Sequence, residues 1–528
     1  MTKSKIAKIF KQLVSFFILI TVAFLLIINI RGHSGNPTVD ELNSEKWVIN
    51  GPLELSPDRG RFALMYSIAE NKSVHFSVPI AKFASPDLGY YNGYYVSLFA
   101  PGLSFLITPG YIIGKYFGIS QIGAFAVITI FAIINFWLLR KIILSFGFDY
   151  IVANICAITF IFATNAFSYG VSLYQHHLST FCVLAAIYAL KRLSPFLGLS
   201  IVWFLCGLSI LIDFPNFFLM FPIGLYGLIK IIKIKNETDK IQVSVNFVKI
   251  LTLAYIIPPL FFLASFNQLS YGSPTKLAGT VTQVKEIDEN GQPAIVVGKQ
   301  ISKGGSSVEE TTKQERSAVN FFRTRNMQQG LYILLFSPDR GALYYSPIIL
   351  VMILGFIEFY KKEKTWSVVL IAVITFNLTL YTMWGDPWGG WAFGARYLIP
   401  TYAVMTIAMA YAVEKYRKNI IFIILFIALF SYSAFINTIG GITSNANPPQ
   451  VEVLQIEQLS KKQEKYTYER NLDQIVEDKT KSFVYNTYLV NKINVWNYFK
   501  LIYGTILSLF ILLLTLNIFK KGAKHVQL

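Results

Sequence analysis

An all-α polytopic membrane protein with about twelve transmembrane helices is the fold class that the sequence predicts, and three observations predict it. Hydrophobic residues make up 54% of the 528-residue chain and charged residues only 14%. A soluble domain carries roughly 25% charged residues, so this chain cannot cover itself with a polar surface. The apolar residues come in runs of about 18 or more, the length that spans a hydrocarbon core as helix. The lysines and arginines behind the net charge of +18 sit at the ends of those runs, where membrane orientation places them. They form no stripe interleaved with aromatics, so no nucleic-acid partner is expected; the expected surroundings are a lipid bilayer.

In chain order the predicted spans are 13–30, 122–139, 150–168, 178–190, 198–213, 216–232, 248–268, 346–359, 366–383, 398–413, 419–437 and 499–519. The first follows MTKSKIAKIFKQ and has no small-residue cleavage site before NIRGHSG. It reads as a retained helix, not a signal peptide. With Lys3, Lys5, Lys8 and Lys11 in the cytoplasm, the positive-inside rule gathers the other basic connections on the same side. These are Arg140-Lys141, Lys191-Arg192, the 230–249 connection, YKKEK at 360–364, EKYRKN at 414–419 and the tail KKGAKH. The expected location is the plasma membrane, with both termini cytoplasmic. This topology requires that 94–117 not cross. Pro101, Pro109 and the glycines of that stretch are expected to break a regular helix, and its aromatics suit an interface. It reads as a juxtamembrane or re-entrant element on the outer side.

Three long segments then share the outer face: 31–121, 269–345 and 438–498. The second contains TVTQVKEIDENGQPAIVVGKQI, two alternating runs around Asn290-Gly291, which predicts a small β-hairpin. The third is charged around EQLSKKQEKYTYERNLDQIVEDKTK and reads as a helical, solvated cap. The organisation is a transmembrane module over 1–270 containing the first outer loop, an outer loop with the hairpin over 271–345, and helices with an outer WGDPWGGW loop over 346–437. The charged outer segment of 438–498 comes next, and then the last helix and tail of 499–528.

Candidate chemistry sits on the predicted outer side. The first segment offers Asp40-Glu41 and Asp58 in SPDRGRFALMYSIAE. An acid there can act as general base or hold a divalent cation, the one cofactor the sequence brings into view. Asp58 also suits the N-cap of a helix over RGRFALMYSIAE. In MWGDPWGGWAFGARYLIP, Arg396 follows a Gly- and Trp-rich turn containing Asp386, and an arginine fork can bind phosphate. The tryptophans Trp384, Trp388 and Trp391 read first as an interfacial belt. His176 and His177 in SYGVSLYQHHLST lie about 100° apart on a helix start, so one of them faces any cavity, as a metal ligand or phosphate hydrogen-bond partner. Asp213 in LIDFPNFF lies at an outer helix end, where an acid tends to face a cavity. Cys156, Cys182 and Cys206 lie in apolar runs and read as packed thiols.

The first helix, the acidic outer loop and the proline-containing juxtamembrane stretch together resemble the GT-C glycosyltransferases. The similarity is to the family of protein O-mannosyltransferases and lipid A aminoarabinose transferase. Their first outer loop carries an Asp-Glu-x-Arg-Tyr-Ala type motif, which DRGRFA at 58–63 resembles, with Arg59 in place of the second acid. The stretch YYVSLFAPGLSFLITPGYIIGKYFG is similar to their juxtamembrane helix. The likeness in layout covers 1–270. It implies a GT-C-like fold and transfer of a sugar, with inversion, from a polyprenyl-phosphate donor to a glycan, lipid or protein acceptor. It also implies that Asp58 is the base; the departing lipid phosphate then calls for cations, and the candidates are Arg61 in the motif, Arg396 by its outer position and Arg340 in the second Ser-Pro-Asp-Arg-Gly copy. The absence of the second acid leaves a metal at this motif unspecified.

Two other classes fit parts of the pattern. Twelve helices with both ends inside is also a transporter or lipid-flippase count, and a noncatalytic scaffold could carry polar outer loops. The predicted outer position of Asp58 and the three large outer segments favour the transferase. The pentapeptide Ser-Pro-Asp-Arg-Gly occurs twice, at 56–60 and 337–341. Its flanks differ, so the sequence indicates a shared side of the membrane, with Asp339 and Arg340 lining the same cavity as Asp58.

Overall fold

The computed structural model describes residues 3–48, 51–237, 240–294, 299–301, 307–309 and 322–520. Residues 295–298 of the expected hairpin and the basic tail beyond Lys520 lie outside the described residues. Among the described residues a helix stands at every expected span. The first six are Lys3–Ile28, Ser120–Ser145, Tyr150–Phe162, His176–Arg192, Pro195–Ile212 and Asn216–Ile231. The other six are Ile257–Tyr271, Ile349–Lys362, Lys364–Thr382, Ile399–Lys415, Ile420–Ile442 and Val495–Phe519. Seven helical stretches are long and apolar enough to cross a membrane, and three shorter apolar helices accompany them.

Polar contacts sort onto the two ends of this bundle. At one end Lys191 pairs with Glu363 and lies over the Phe146 ring. Lys249 donates to the Lys230 carbonyl, Lys520 pairs with Asp149 and Glu414, and Lys415 pairs with Glu358. These are the basic connections that the charge rule groups together. At the other end lie Arg31, Glu54, Asp58, the 166–175 connection, Asp213, the 384–396 loop and the 440–447 connection. Between the ends, helix Ile399–Lys415 is nearly enclosed by its neighbours, so Arg396, at its start, sits in the middle of the Asp58 end.

The 94–117 stretch differs in detail from the expectation. Tyr94–Ser97 is a strand paired antiparallel with Leu88–Tyr91, and Gly102–Tyr116 is one helix that continues through Pro109. Proline removes one hydrogen bond but does not stop a helix that packing holds. Both helix ends belong to the Asp58 end: Ser104 Oγ donates to the Arg61 carbonyl, and Lys115 pairs with Glu70. The hairpin before it turns at Asn92-Gly93, both with positive φ, the usual two-residue solution for twisted strands. Asn290-Gly291 likewise turns a hairpin, but it joins only Glu286–Ile287 to Pro293–Ala294. The earlier part of its first run, Thr282–Val284, pairs instead with Leu88–Tyr91, so two segments distant in sequence share one sheet.

The Gly102–Tyr116 helix lies against Ser120–Ser145 with glycines at the crossing. A Cβ on Gly123 would stand 2.1 Å from the Gly110 carbonyl oxygen and 2.8 Å from Gly114 Cα. Small residues here let the two backbones touch, as in membrane helix pairs generally. Gly123→Leu is therefore expected to destabilise the purified protein by roughly 2 kcal/mol or more. The measurement is its thermal unfolding midpoint in detergent, and an unchanged midpoint would sink the close-crossing account.

Candidate active site

Helix Ser56–Asn71 starts two residues before Asp58. Leu55 is its N-cap, Pro57 sits in the first turn, and the amides of Asp58 and Arg59 both donate to the Leu55 carbonyl. Asp58 is therefore not the cap, because proline, with its preset φ, opens the helix upstream. Its side chain is released from capping and buried, with 3% exposed. A first-turn acid gains from the helix dipole, but burial is the larger effect here. The carboxyl is pushed up to about 8, by burial first; the Tyr174 hydroxyl, Arg396 and Arg61 pull it down, and Glu54 pushes it up.

Arg61, three residues on and so on the same helix face, is buried with its guanidinium 4.4 Å from the Phe99 ring centroid. It donates to the Pro57 carbonyl, its Nε has no partner among the described residues, and Asp213 is its strongest opposite charge. Asp213 is the C-cap of Pro195–Ile212 and accepts from Gln175 Nε2 at 2.8 Å. Arg396 donates through Nη2 to the Gly389 carbonyl at 2.7 Å, while its Nε and Nη1 have no partner among the described residues. Its guanidinium lies 5.1 Å from the Tyr174 ring centroid and 5.4 Å from that of Tyr397. Tyr397 in turn stacks on Tyr381 at 4.0 Å. His176 packs parallel to Tyr174 at 5.8 Å.

The structure thus brings Asp58, Arg61, His176 and Arg396 into one buried group, with Asp213 half-buried at its edge, and adds Tyr174 and Gln175. The other sequence candidates stand elsewhere. His177 is turned away, one ring nitrogen on the Ala166 carbonyl at 2.7 Å and the other against Asn135. Asp40 and Glu41 are exposed in the short helix Val39–Leu42, where Glu41 closes a capping box with Thr38. Asp386 is exposed and accepts from the Gly390 amide, holding the turn of the tryptophan loop. Arg340 is buried but occupied: it donates to the carbonyls of Trp388, Asp339, Gly390 and Asn447. Among the described residues no three His, Cys, Asp or Glu side chains group as a metal site. Asp58 and Asp213 have guanidinium groups beside them, and Glu54, the further acid acting on Asp58, is taken up by Arg31 and Lys481; this donor set does not fit a divalent cation.

Two cavities lie apart from the group, none of whose residues lines either one. An apolar groove of about 430 Å³ runs between the start of Asn216–Ile231 and the end of Lys364–Thr382, lined by Phe218, Phe322, Phe376, Leu380 and Met383. Leu380 adjoins Tyr381 and hence the Tyr397–Arg396 pair. A polar crevice of about 640 Å³ lies beside Pro52 and is walled by residues of 463–486. Lys481, in that wall, stands 3.5 Å from Glu54, which also pairs with Arg31 at 3.3 Å. The 438–498 segment is therefore more than a solvated cap: Asn445, Asn447, Asn471 and Ser482 are buried against the site's surroundings. Tyr174, Gln175 and Glu54 had no charge pattern or motif to mark them beyond nearness in sequence to His176 and Asp58.

No family model matches the chain, and no curated protein matches it. Among solved structures it is similar to two crystal structures of ArnT from Cupriavidus metallidurans, one in the apo state and one bound to undecaprenyl phosphate. The TM-score is 0.42 and the identity 10% in both cases. The alignments cover 98% and 96% of this chain, and 78% and 77% of ArnT.

Replacing Arg340 leaves several buried carbonyls without a donor, at about 1–3 kcal/mol for each group. Arg340→Lys, which cannot reproduce the fork, is expected to loosen residues 384–391 and 445–450 together. Hydrogen–deuterium exchange should show both peptides deprotected; deprotection of one alone would contradict a shared clamp.

Proposed function

We infer that this protein is an integral membrane glycosyltransferase that moves a sugar from a polyprenyl-phosphate donor to an acceptor hydroxyl, with inversion at the anomeric carbon. The observation that carries the reading is one buried group. In it an acid whose carboxyl lies at about 8 stands beside two guanidinium groups with unfilled N–H donors. Unfilled buried donors are costly, and a ligand phosphate would fill them. The apolar groove beside Tyr381 suits a hydrocarbon chain entering from the bilayer, and the polar crevice beside Glu54 suits an acceptor arriving from water. The resemblance of the 58–63 motif to GT-C transferases supports the same assignment.

In the proposed reaction, the acceptor oxygen attacks the anomeric carbon on the face opposite the phosphate. The bond from that carbon to the phosphate oxygen breaks, and the polyprenyl phosphate departs with an added negative charge. Asp58 takes the acceptor proton, and Arg396 and Arg61 stabilise the departing phosphate, an effect that is large because the site is dry and the donors are already placed. Asp213, bonded to Gln175, opposes Arg61 and keeps its guanidinium from turning away. With this arrangement the reaction side of the protein is the outer face of the membrane, and the termini are cytoplasmic.

Transfer by the purified protein from a polyprenyl-phosphate sugar is the direct test. Asp58→Asn should lower kcat/KM by on the order of a thousandfold, and Arg396→Met by on the order of a hundredfold; equal rates for Asp58→Asn and wild type would remove the base assignment. Asp58 works ionised, so the wild-type rate should rise with pH through about 8. Stability runs the other way. The folded carboxyl lies above the unfolded one, so the contribution from its neutral form is complete below about pH 4 and is lost as pH rises through about 8. Asp58→Asn should therefore melt at a higher temperature than wild type at alkaline pH, and a lower melting point would contradict the burial account.

A further inference from the structure

Tyr174 lies in the connection before helix His176–Arg192 and is 1% exposed. Its ring is held on three sides. Tyr169 meets it edge-on at 4.9 Å, His176 lies parallel at 5.8 Å, and the Arg396 guanidinium is 5.1 Å from its centroid. Such a cage fixes where the phenol points. The Tyr174 hydroxyl forms no hydrogen bond among the described residues, and neither does Oδ1 of Asp58. The phenol nevertheless stands close enough to Asp58 to pull the acid down by hydrogen bonding, while the acid pushes the phenol up. An unpaired donor facing an unpaired acceptor suits a bond that strengthens when the acid ionises, because a carboxylate accepts more strongly than its neutral form.

We propose that Tyr174 is a positioning residue for Asp58: its phenol donates to one carboxylate oxygen and leaves the other aimed at the acceptor hydroxyl. This rests on the reading of Asp58 as the base. The phenol keeps its proton throughout, since burial, and then the nearby Asp58 charge, hold it well above the ordinary tyrosine range. The other groups facing Asp58 act on it chiefly as charges. Glu54 opposes its ionisation, and Arg31, Arg59, Arg61 and Arg396 favour it as charges. Tyr169 differs in being anchored elsewhere: its hydroxyl accepts from the Phe393 amide at 3.0 Å, an anchor the Tyr174 hydroxyl lacks.

Infrared difference spectra of the full-length protein in nanodiscs, titrated from about pH 5 to about pH 10, follow the Asp58 carboxyl band, assigned by its loss in Asp58→Asn. Tyr174→Phe keeps the caged ring and removes only the donor, so the Asp58 midpoint should rise by on the order of one pH unit. Tyr169→Phe, the same deletion within the same cage, should leave it in place. A midpoint unchanged or lowered in folded Tyr174→Phe overturns the proposal, as does an equal rise in both variants. If Tyr174→Phe does not fold, 3-fluorotyrosine at position 174 decides: a stronger donor should lower the midpoint, and no change overturns the proposal. The spectra need no substrate, so a failure to transfer sugar would defeat the proposed reaction while leaving this result standing.

Discussion

Arg31, itself buried, ties together four stretches of chain distant in sequence. Its guanidinium pairs with Glu54 and donates to the Gly440 carbonyl and to Asn445, while its backbone amide donates to Val171. Glu54 is held ionised although burial opposes it, because Lys481 and Arg31 flank it and the Asn445 amide donates to it. A buried ion pair of this kind adds little net stability over an apolar replacement, but breaking it leaves an uncompensated charge. Its structural effect is registry: it fixes the end of the first helix, the start of the Asp58 helix and the 440–447 connection relative to one another. The Asp58 end of the bundle is assembled around that knot, and the neighbouring acid at position 58 feels its charge.

The two Ser-Pro-Asp-Arg-Gly copies show how little five letters determine. In the first, Ser-Pro opens a helix, so Asp58 falls in the first turn with its side chain free, and Arg59 turns away to the Ser85 carbonyl. In the second, the chain makes a tight turn in which Ser337 bonds Asp339, whose other oxygen accepts from the Gln450 amide. The adjacent Arg340 then fans across four carbonyls. The same two residues are thus split apart in one setting, and in the other both serve as scaffold. The downstream residues decide between them: the first copy runs into a helix of sixteen residues, the second into a helix of only four.

Every membrane-scale helix was legible in the sequence, because apolar length and flanking charge are local properties that tertiary contacts do not alter. The gathering of Lys191, Lys249, Lys415 and Lys520 at one end was legible for the same reason. The site was legible only in part. Asp58, Arg61 and Arg396 carry formal charge in apolar surroundings, which marks them in any reading. Tyr174 and Gln175 are ordinary residues made special by what folds against them. Pro109 misled because a proline's local cost is smaller than the packing of Gly102–Tyr116 along its neighbour. The destination of Thr282–Val284 was hidden because strand partners distant in sequence leave no local trace, whereas the Asn-Gly turn beside them does.

The glycine crossing between Gly102–Tyr116 and Ser120–Ser145 bears on how the site can move. Ser104 on the first of these helices holds the Arg61 carbonyl, and Lys115 and Tyr111 hold Glu70 at the far end of the Asp58 helix. The Asp58 helix is thereby strapped along its length to an element that touches a crossing helix backbone to backbone. Where Gly123 meets Gly110 and Gly114 backbone lies on backbone, so that contact has little freedom to rearrange. Asp58 is thereby mounted on a wall, while Arg396 across from it starts from a loop turned by glycines with positive φ.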